Sequence, residues 1–171
     1  HWIKTLNERE QLCKKAEIVP LEVIIRNRAT GSFVKRYAAE EGKIFKRPTF
    51  ELSYKNDDLG DPLLNDDHAL ALELVTEEEL AKIKEQTFLI NDLLSKLFDK
   101  MNLILVDYKV EFGRDKDGNI LLADEISPDS MRLWDKDTLK KLDKDRFRQD
   151  LGDVMGAYRQ VLRRLEKALA E

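Results

Sequence analysis

Cysteine is almost missing from this chain: Cys13 is the single example in 171 residues. That excludes an internal disulfide framework, leaves no thiolate cluster for a structural metal, and points to a reducing, cytoplasmic setting. No apolar run approaches the ~18 residues of a membrane span and no signal peptide opens the chain, so neither a membrane partner nor export is expected. A basic balance is lacking too. With a formal net charge of -4 the protein offers no bulk electrostatic surface for nucleic acid, and any anion site must be local. Gly-x-Ser-x-Gly, paired cysteines, Gly-x-Gly-x-x-Gly and a Walker-type loop are all absent, which removes a nucleophilic triad, a zinc site and a dinucleotide fold. There is no internal repeat or low-complexity segment. The chain also begins without methionine, on His1-Trp2-Ile3-Lys4-Thr5-Leu6, which already reads as a strand entered in mid-domain. What is present is 42% hydrophobic residues among charges of both signs, enough for a soluble domain with a real core.

Periodicity and turn chemistry outline the elements. Trp2 to Leu6 and Gln11 to Ala16 read as two strands around the polar turn Asn7-Glu8-Arg9-Glu10. Ile18 to Ile25 is a β-branched run broken by Pro20 and Glu22, ending in Arg26-Asn27-Arg28-Ala29-Thr30-Gly31-Ser32. Phe33 to Tyr37 forms a short helix for which Ser32 is a candidate N-cap. Thr49 to Tyr54 reads as a strand, and Lys55 to Pro62 as an irregular surface loop. Thr76-Glu77-Glu78-Glu79 has the form of a capping box. Behind it Leu80, Ile83, Ile90, Leu94, Leu97 and Met101 follow at helical spacing, widened by Phe88, Leu89, Leu93 and Phe98 into a long, well-buried helix. Leu103 to Phe112 reads as one strand, Asp117-Gly118 as the centre of a turn, and Ile120 to Ala123 as the hairpin partner. Leu151, Met155, Tyr158, Leu162, Leu165 and Leu169 stripe a last helix. The order predicts an α+β fold, a mostly antiparallel sheet flanked by helices.

Three stretches have residue types suited to chemistry. In Leu105-Val106-Asp107-Tyr108-Lys109-Val110-Glu111-Phe112, strand alternation puts Asp107, Lys109 and Glu111 on one face and sends their neighbours to a core. A solvated charged face would look the same. The hairpin, however, returns Asp124 and Glu125 toward this strand, and converging carboxylates suit magnesium, whose remaining positions go to water and substrate phosphates. The register, and so the choice between Asp124 and Glu125, stays open on spacing alone. Asp115-Lys116-Asp117-Gly118-Asn119 has its glycine one position too early for a calcium loop and reads as a plain turn. In the second stretch, Arg26 and Arg28 share a strand face ahead of Gly31-Ser32, a set suited equally to phosphate or to ordinary surface pairing. Lys35 and Arg36 add positive charge nearby. The third, Ser127 to Asp135, is a polar loop carrying Arg132 after the acidic pair, with Trp134 as a packing anchor. His68 stands in a loop beside Asp66 and Asp67 with no second histidine nearby, so no metal or catalytic role is expected of it.

Together and in order, three long motifs resemble the SAICAR synthetase family, bacterial type: Val19 to Ser32, Leu105 to Gly113, and Asp124 to Asp135. Lys55-Asn56-Asp57 with Asp61-Pro62, and Asp143 to Arg148, continue the likeness over essentially the whole chain. The resemblance implies a kinase- and ATP-grasp-related fold and a carbon-nitrogen ligase of purine biosynthesis. Such an enzyme joins L-aspartate to carboxyaminoimidazole ribonucleotide (CAIR) through an acyl phosphate, giving SAICAR, ADP and phosphate, with ATP and magnesium (Mg2+) as cofactors. It further implies Glu111 and Asp124 as magnesium ligands, and Asp107 and Lys109 as catalytic groups in the cleft. Arg26, Ser32, Lys55, Asp61 and Arg132 would bind substrate, and Ile18 would pack on adenine. A homo-oligomer, a dimer, is expected of the full-length form. Family members begin with a small β-lobe bearing a glycine-rich segment and a lysine over the ATP phosphates. This chain has neither, so residues 1–18 are expected to be the remnant of that lobe and 19–171 the C-terminal catalytic lobe, inactive alone. A kinase-like phosphotransferase would share the metal carboxylates but not need Arg26 to Ser32. A module that binds the ribonucleotide without turnover is the non-enzymatic alternative.

Overall fold

Alternation, turn chemistry and two capping boxes set most of the observed elements. The computed structural model describes residues 1–170. In chain order the elements are β1 (Trp2–Thr5), β2 (Gln11–Cys13), β3 (Glu17–Ile18), β4 (Leu21–Arg28), α1 (Ser32–Tyr37), β5 (Ile44–Tyr54), β6 (Leu63–Leu64), α2 (Asp66–Ala71), α3 (Glu77–Lys100), β7 (Leu103–Val110), β8 (Phe112–Arg114), β9 (Ile120–Leu122), β10 (Met131–Asp135), α4 (Asp145–Arg148) and α5 (Val154–Ala170). This is the α+β class the order predicts. The largest sheet has the order β10-β7-β4-β5-β6; the other sheets are β3-β8-β9 and a β1-β2 pair. No helix among the described residues is long and apolar enough to cross a membrane.

The chain divides into two compact units. The first comprises His1–Val23, Glu51–Gln86 and Val110–Glu125. Its β1-β2 pair closes where Leu6 N donates to Glu10 O at 2.9 Å. Its β8-β9 hairpin turns on Asp115, whose carboxylate accepts from the Asp117 and Asn119 amides at 2.9 Å each, the plain turn expected there. Gly113 permits β3 to approach β8: a Cβ at this position would stand 2.9 Å from Ala16 Cβ and 3.0 Å from the Glu17 carbonyl. The capping box that opens α3 is present, with Thr76 N donating to Glu79 Oε2 at 2.9 Å and Glu79 N to Thr76 Oγ1 at 3.2 Å. The same Glu79 is held by Arg114, which lowers its pKa. Val19, Leu21, Leu52, Ile83 and Phe112 are buried in this unit.

The second unit comprises Ile24–Phe50, Thr87–Lys109 and Ile126–Glu171. Here β7 and β10 pair antiparallel, Asp107 opposite Arg132 and Leu105 opposite Leu133, so the register slips by one residue directly after Arg132. Ile25, Leu103, Val106, Met131 and Leu133 are buried. Tyr108 reaches back from β7 to give its hydroxyl proton to the Thr87 carbonyl at 2.5 Å. Asn27 on β4 and Asn91 on α3 exchange amide hydrogen bonds at 2.9 and 3.2 Å. Arg164 fixes α5 by donating to Asp135 at 2.6 Å and to the Met101 and Asn102 carbonyls.

Several sequence expectations change. The strand expected through Phe112 ends at Val110, and Glu111 separates it from β8, which pairs with β3 and β9 instead. Residues 131–135, expected within a loop, form β10. The α2 helix was not anticipated; its N-cap is Asn65, and His68 serves the capping box rather than standing in a loop. The two long helices are also less buried than their stripes suggest: Phe88, Leu89 and Leu93 on α3, and Met155, Leu162 and Leu169 on α5, are exposed, while Thr87, Asn91, Ala157 and Val161 are buried.

Candidate functional site

In the second unit, three expected residues meet at one carboxylate oxygen and a fourth joins through one of them. Asp107 Oδ2 accepts from Arg26 Nη1 at 2.8 Å and from Arg132 Nη1 at 2.8 Å. The side chains of Asp107 and Arg26 are each 3% exposed and that of Arg132 is 12% exposed, so this is a buried charge cluster. Burial pushes the Asp107 pKa up, while Arg132 and Arg26 pull it down. Both guanidinium groups point N–H donors at Oδ2, so that oxygen is an unprotonated acceptor. Arg26 continues to Ser32, donating from Nη2 to Oγ at 3.0 Å, and Arg36 donates to the same hydroxyl oxygen at 2.8 Å. Ser32 is therefore not the N-cap of α1. Gly31 holds that position, with no side-chain cap bond, and the serine faces the arginines.

The frame around Arg132 comes from residues that spacing alone did not single out. Arg132 Nε donates to Asp145 Oδ2 at 2.9 Å, and Gln149 donates to the same oxygen. Asp143 accepts from the Leu133 amide through Oδ2 and from the Asp145 amide through Oδ1, at 2.8 Å each. Burial pushes the Asp143 carboxyl up to about 6. The one available signal was the charged run Asp143 to Arg148. Gly31 has a backbone that favours glycine, φ 55° and ψ −125°, and a Cβ there would lie 2.7 Å from Arg132 Nη2. Lys109 sits on β7, its amide donating to the Ser130 carbonyl at 2.8 Å.

In the first unit, Lys55 Nζ and Glu111 Oε1 are 2.9 Å apart, joining two more expected residues. The Ala123 amide donates to the Glu111 carbonyl at 3.0 Å, so Asp124 follows the residue paired with Glu111. Asp124 is half-buried and Glu125 exposed. Among the described residues no group of three or more His, Cys, Asp or Glu forms a ready-made metal cage. A pair of carboxylates on one hairpin fits magnesium of the kind that takes one or two protein ligands and completes its shell with phosphate oxygens and water. Asp61 turns into its own loop, Oδ1 accepting from the Asn56 amide at 2.9 Å. Ile18 is an exposed residue of β3.

An arginine pair with a serine hydroxyl, and a carboxylate pair suited to magnesium, on an α+β frame, are equipment of the class of enzymes that handle phosphorylated substrates. The comparisons narrow the class. The SAICAR synthetase family profile matches residues 1–165, and the chain belongs to that family, a family of ligases. The phosphoribosylaminoimidazole-succinocarboxamide synthase of Finegoldia magna is 59% identical over 165 residues, 96% of this chain and 71% of the relative. The crystal structure of the Ehrlichia chaffeensis enzyme of that name superposes with a TM-score of 0.94 at 49% identity, over 97% of this chain and 71% of that one. A SAICAR synthetase in complex with ADP follows at 0.93 and 44%, over 96% and 70%.

Proposed function

We propose that this protein takes part in the ATP-dependent ligation of L-aspartate to CAIR, giving SAICAR, ADP and phosphate. The observation that carries the reading is the convergence of Arg26 and Arg132 on the single oxygen of buried Asp107, with Ser32 alongside. Asp107 orients two guanidinium forks side by side, and paired, pre-oriented guanidinium groups are what recognition of a ribonucleotide phosphate requires. Arg26, Ser32 and Arg132 bind that phosphate, and Asp107 and Lys109 line the reacting cleft. Lys55 and Asp61 contact substrate, and Ile18 packs on adenine. The likeness to a relative that binds ADP supports the nucleotide part.

In the reaction a CAIR carboxylate oxygen attacks the γ-phosphorus of ATP and ADP departs. The aspartate amine then attacks the acyl carbon, phosphate leaves, and the nitrogen gives up a proton. Glu111 and Asp124 would hold magnesium, which when bound supplies charge neutralisation at the transferring phosphoryl group. Lys55 tempers the negative charge of Glu111 and keeps its carboxylate in place. The binding residues lower the barrier chiefly by fixing the substrate against an already oriented set of charges.

The test is ADP release by the full-length form of the protein supplied with ATP, magnesium and CAIR, with and without L-aspartate. Release should require CAIR and aspartate together. ATP turnover indifferent to aspartate would remove the ligase reading and favour a phosphotransferase, which has no use for an amine acceptor.

A further inference from the structure

Within the second unit, α3, α5, β10 and the loop from Ile126 to Pro128 line a cavity of about 270 Å³. Its walls are apolar, with Leu97 and Phe98 from α3, Met131 and Leu133 from β10, and Val161 and Leu165 from α5. Ile126 and Leu162, both exposed, mark its mouth. The walls are kept apart by bonds of their own. Arg164 ties α5 to the Asp135 carboxylate and to the Met101 and Asn102 carbonyls. On the loop side the Pro128 carbonyl accepts from the Lys144 amide at 3.1 Å and the Ser130 carbonyl from the Lys109 amide at 2.8 Å. Tyr158 of α5 then gives its hydroxyl proton to Asp129, which fixes the helix to the loop.

Protein interiors are close-packed, and side chains that line a void forfeit contacts on one side. A void of about 150 Å³ among aliphatic and aromatic side chains takes up benzene, so one of about 270 Å³ has room for two fused rings. The lining also sets the polarity of the occupant. Ser127 and Tyr158 are its only polar side chains, and no carboxylate, ammonium or guanidinium reaches it, so a charged ligand would lose its hydration without a partner. The Tyr158 proton is committed to Asp129, which leaves the phenol oxygen as an acceptor. We propose that this cavity is a binding site for a neutral, flat, two-ring aromatic compound with one N–H donor, its rings between Leu97, Leu133 and Leu165 and its donor toward the Tyr158 oxygen. The site is separate from the arginine cluster and stands independently of the ribonucleotide reading. The competing occupant is an apolar side chain delivered by a second copy of the chain, and the test separates the two.

The test is calorimetric titration of the full-length form of the protein with indole, and with benzofuran, which has the same shape and no N–H. Indole should bind once per chain, and benzofuran about 5-fold more weakly, the loss of one neutral hydrogen bond. Leu165→Trp, which fills the space from α5, should weaken indole at least about 10-fold and unfold at the same or a higher temperature than wild type. Absence of indole binding by folded wild type overturns the proposal, and so does equal indole binding by folded L165W, which would put the ligand elsewhere. A marked fall in the L165W unfolding temperature would show that the space is not open to be filled and counts against it. Equal affinity for indole and benzofuran overturns the choice of a donor-bearing ring. Sedimentation of wild type and Leu162→Asp decides the competing occupant: an unchanged association state is expected, and a shift from dimer to monomer would show that a second copy covers the mouth and overturn the small-molecule assignment. If L165W does not fold, L94F, which fills the same space from α3, takes its place.

Discussion

Replacing Gly31 with alanine joins a backbone effect and a site effect that can be separated. At φ 55° and ψ −125° an L side chain is strained by about 1–3 kcal/mol. The new Cβ would also stand 2.7 Å from Arg132 Nη2 and 3.0 Å from Cζ. A flexible arginine would swing aside, but this one is held at Asp107 by Nη1 and at Asp145 by Nε. Moving it forfeits at least one charge-assisted bond, about 1.5–3 kcal/mol. Gly31→Ala should therefore lose about 3–5 kcal/mol in urea unfolding and bind the ribonucleotide at least about 10-fold more weakly, the Arg132 fork being displaced. Gly118→Ala is the control, since Gly118 has φ 81° and a Cβ there meets nothing within 4 Å. It should lose about 1–2 kcal/mol and keep its affinity. If Gly31→Ala matched Gly118→Ala in both measurements, Arg132 would not be the rigid, ligand-facing group described.

Two predictions concern pH. Asp143 has a folded pKa of about 6, above its unfolded value, so its contribution is full below about pH 4 and is lost as pH rises through about 6. The stability difference between wild type and D143N should accordingly change by about 2–3 kcal/mol across that window, and a difference independent of pH would refute the assignment. Asp135 has the opposite sign. Arg164 holds its pKa at about 2, so stability is present above about pH 4 and is lost as pH falls through about 2. R164M should lack roughly 1–2 kcal/mol of that acid-dependent loss, measured by thermal unfolding in the acid range.

Local chemistry was readable from sequence where both partners are near in the chain. Thr76 and Glu79 form their reciprocal bonds three residues apart, and Asp115 closes its turn with the amides of Asp117 and Asn119. The Arg26 to Ser32 segment was legible as an anion-binding candidate, and the arginine does reach the serine. What could not be read depended on register. The meeting of Asp107 with Arg132 follows from the β7-β10 pairing, and the slip after Arg132 breaks the alternation that would have revealed β10 as a strand. Ser32 misled because a serine before a helix has a local use as a cap, whereas here the arginines from β4 and α1 take its hydroxyl. The wide apolar faces of α3 and α5 misled because periodicity reports which residues share a face, not how much of that face is covered. Asp143 and Asp145 lie in a stretch that continues the family likeness but assigns them no role; their roles appear only when their carboxylates are seen on Leu133 and Arg132.

The two hydrogen bonds that the Asp143 carboxylate accepts from the Leu133 and Asp145 amides have a practical meaning for protein engineering. Between those anchor points the chain makes a tight excursion, with Leu142 N returning to Leu133 O and Asp135 N donating to Lys140 O. Its tip is folded on the Asp135 carboxylate, which accepts from Asp137 N and from Thr138 N and Oγ1. Leu139 at that tip gives its amide to the Asp135 carbonyl at 2.9 Å and exposes its side chain. A peptide tag or fluorophore-bearing insert spliced next to Leu139 would lengthen a segment whose base is already stapled, so the reporter could be carried there without moving the arginine that the base positions.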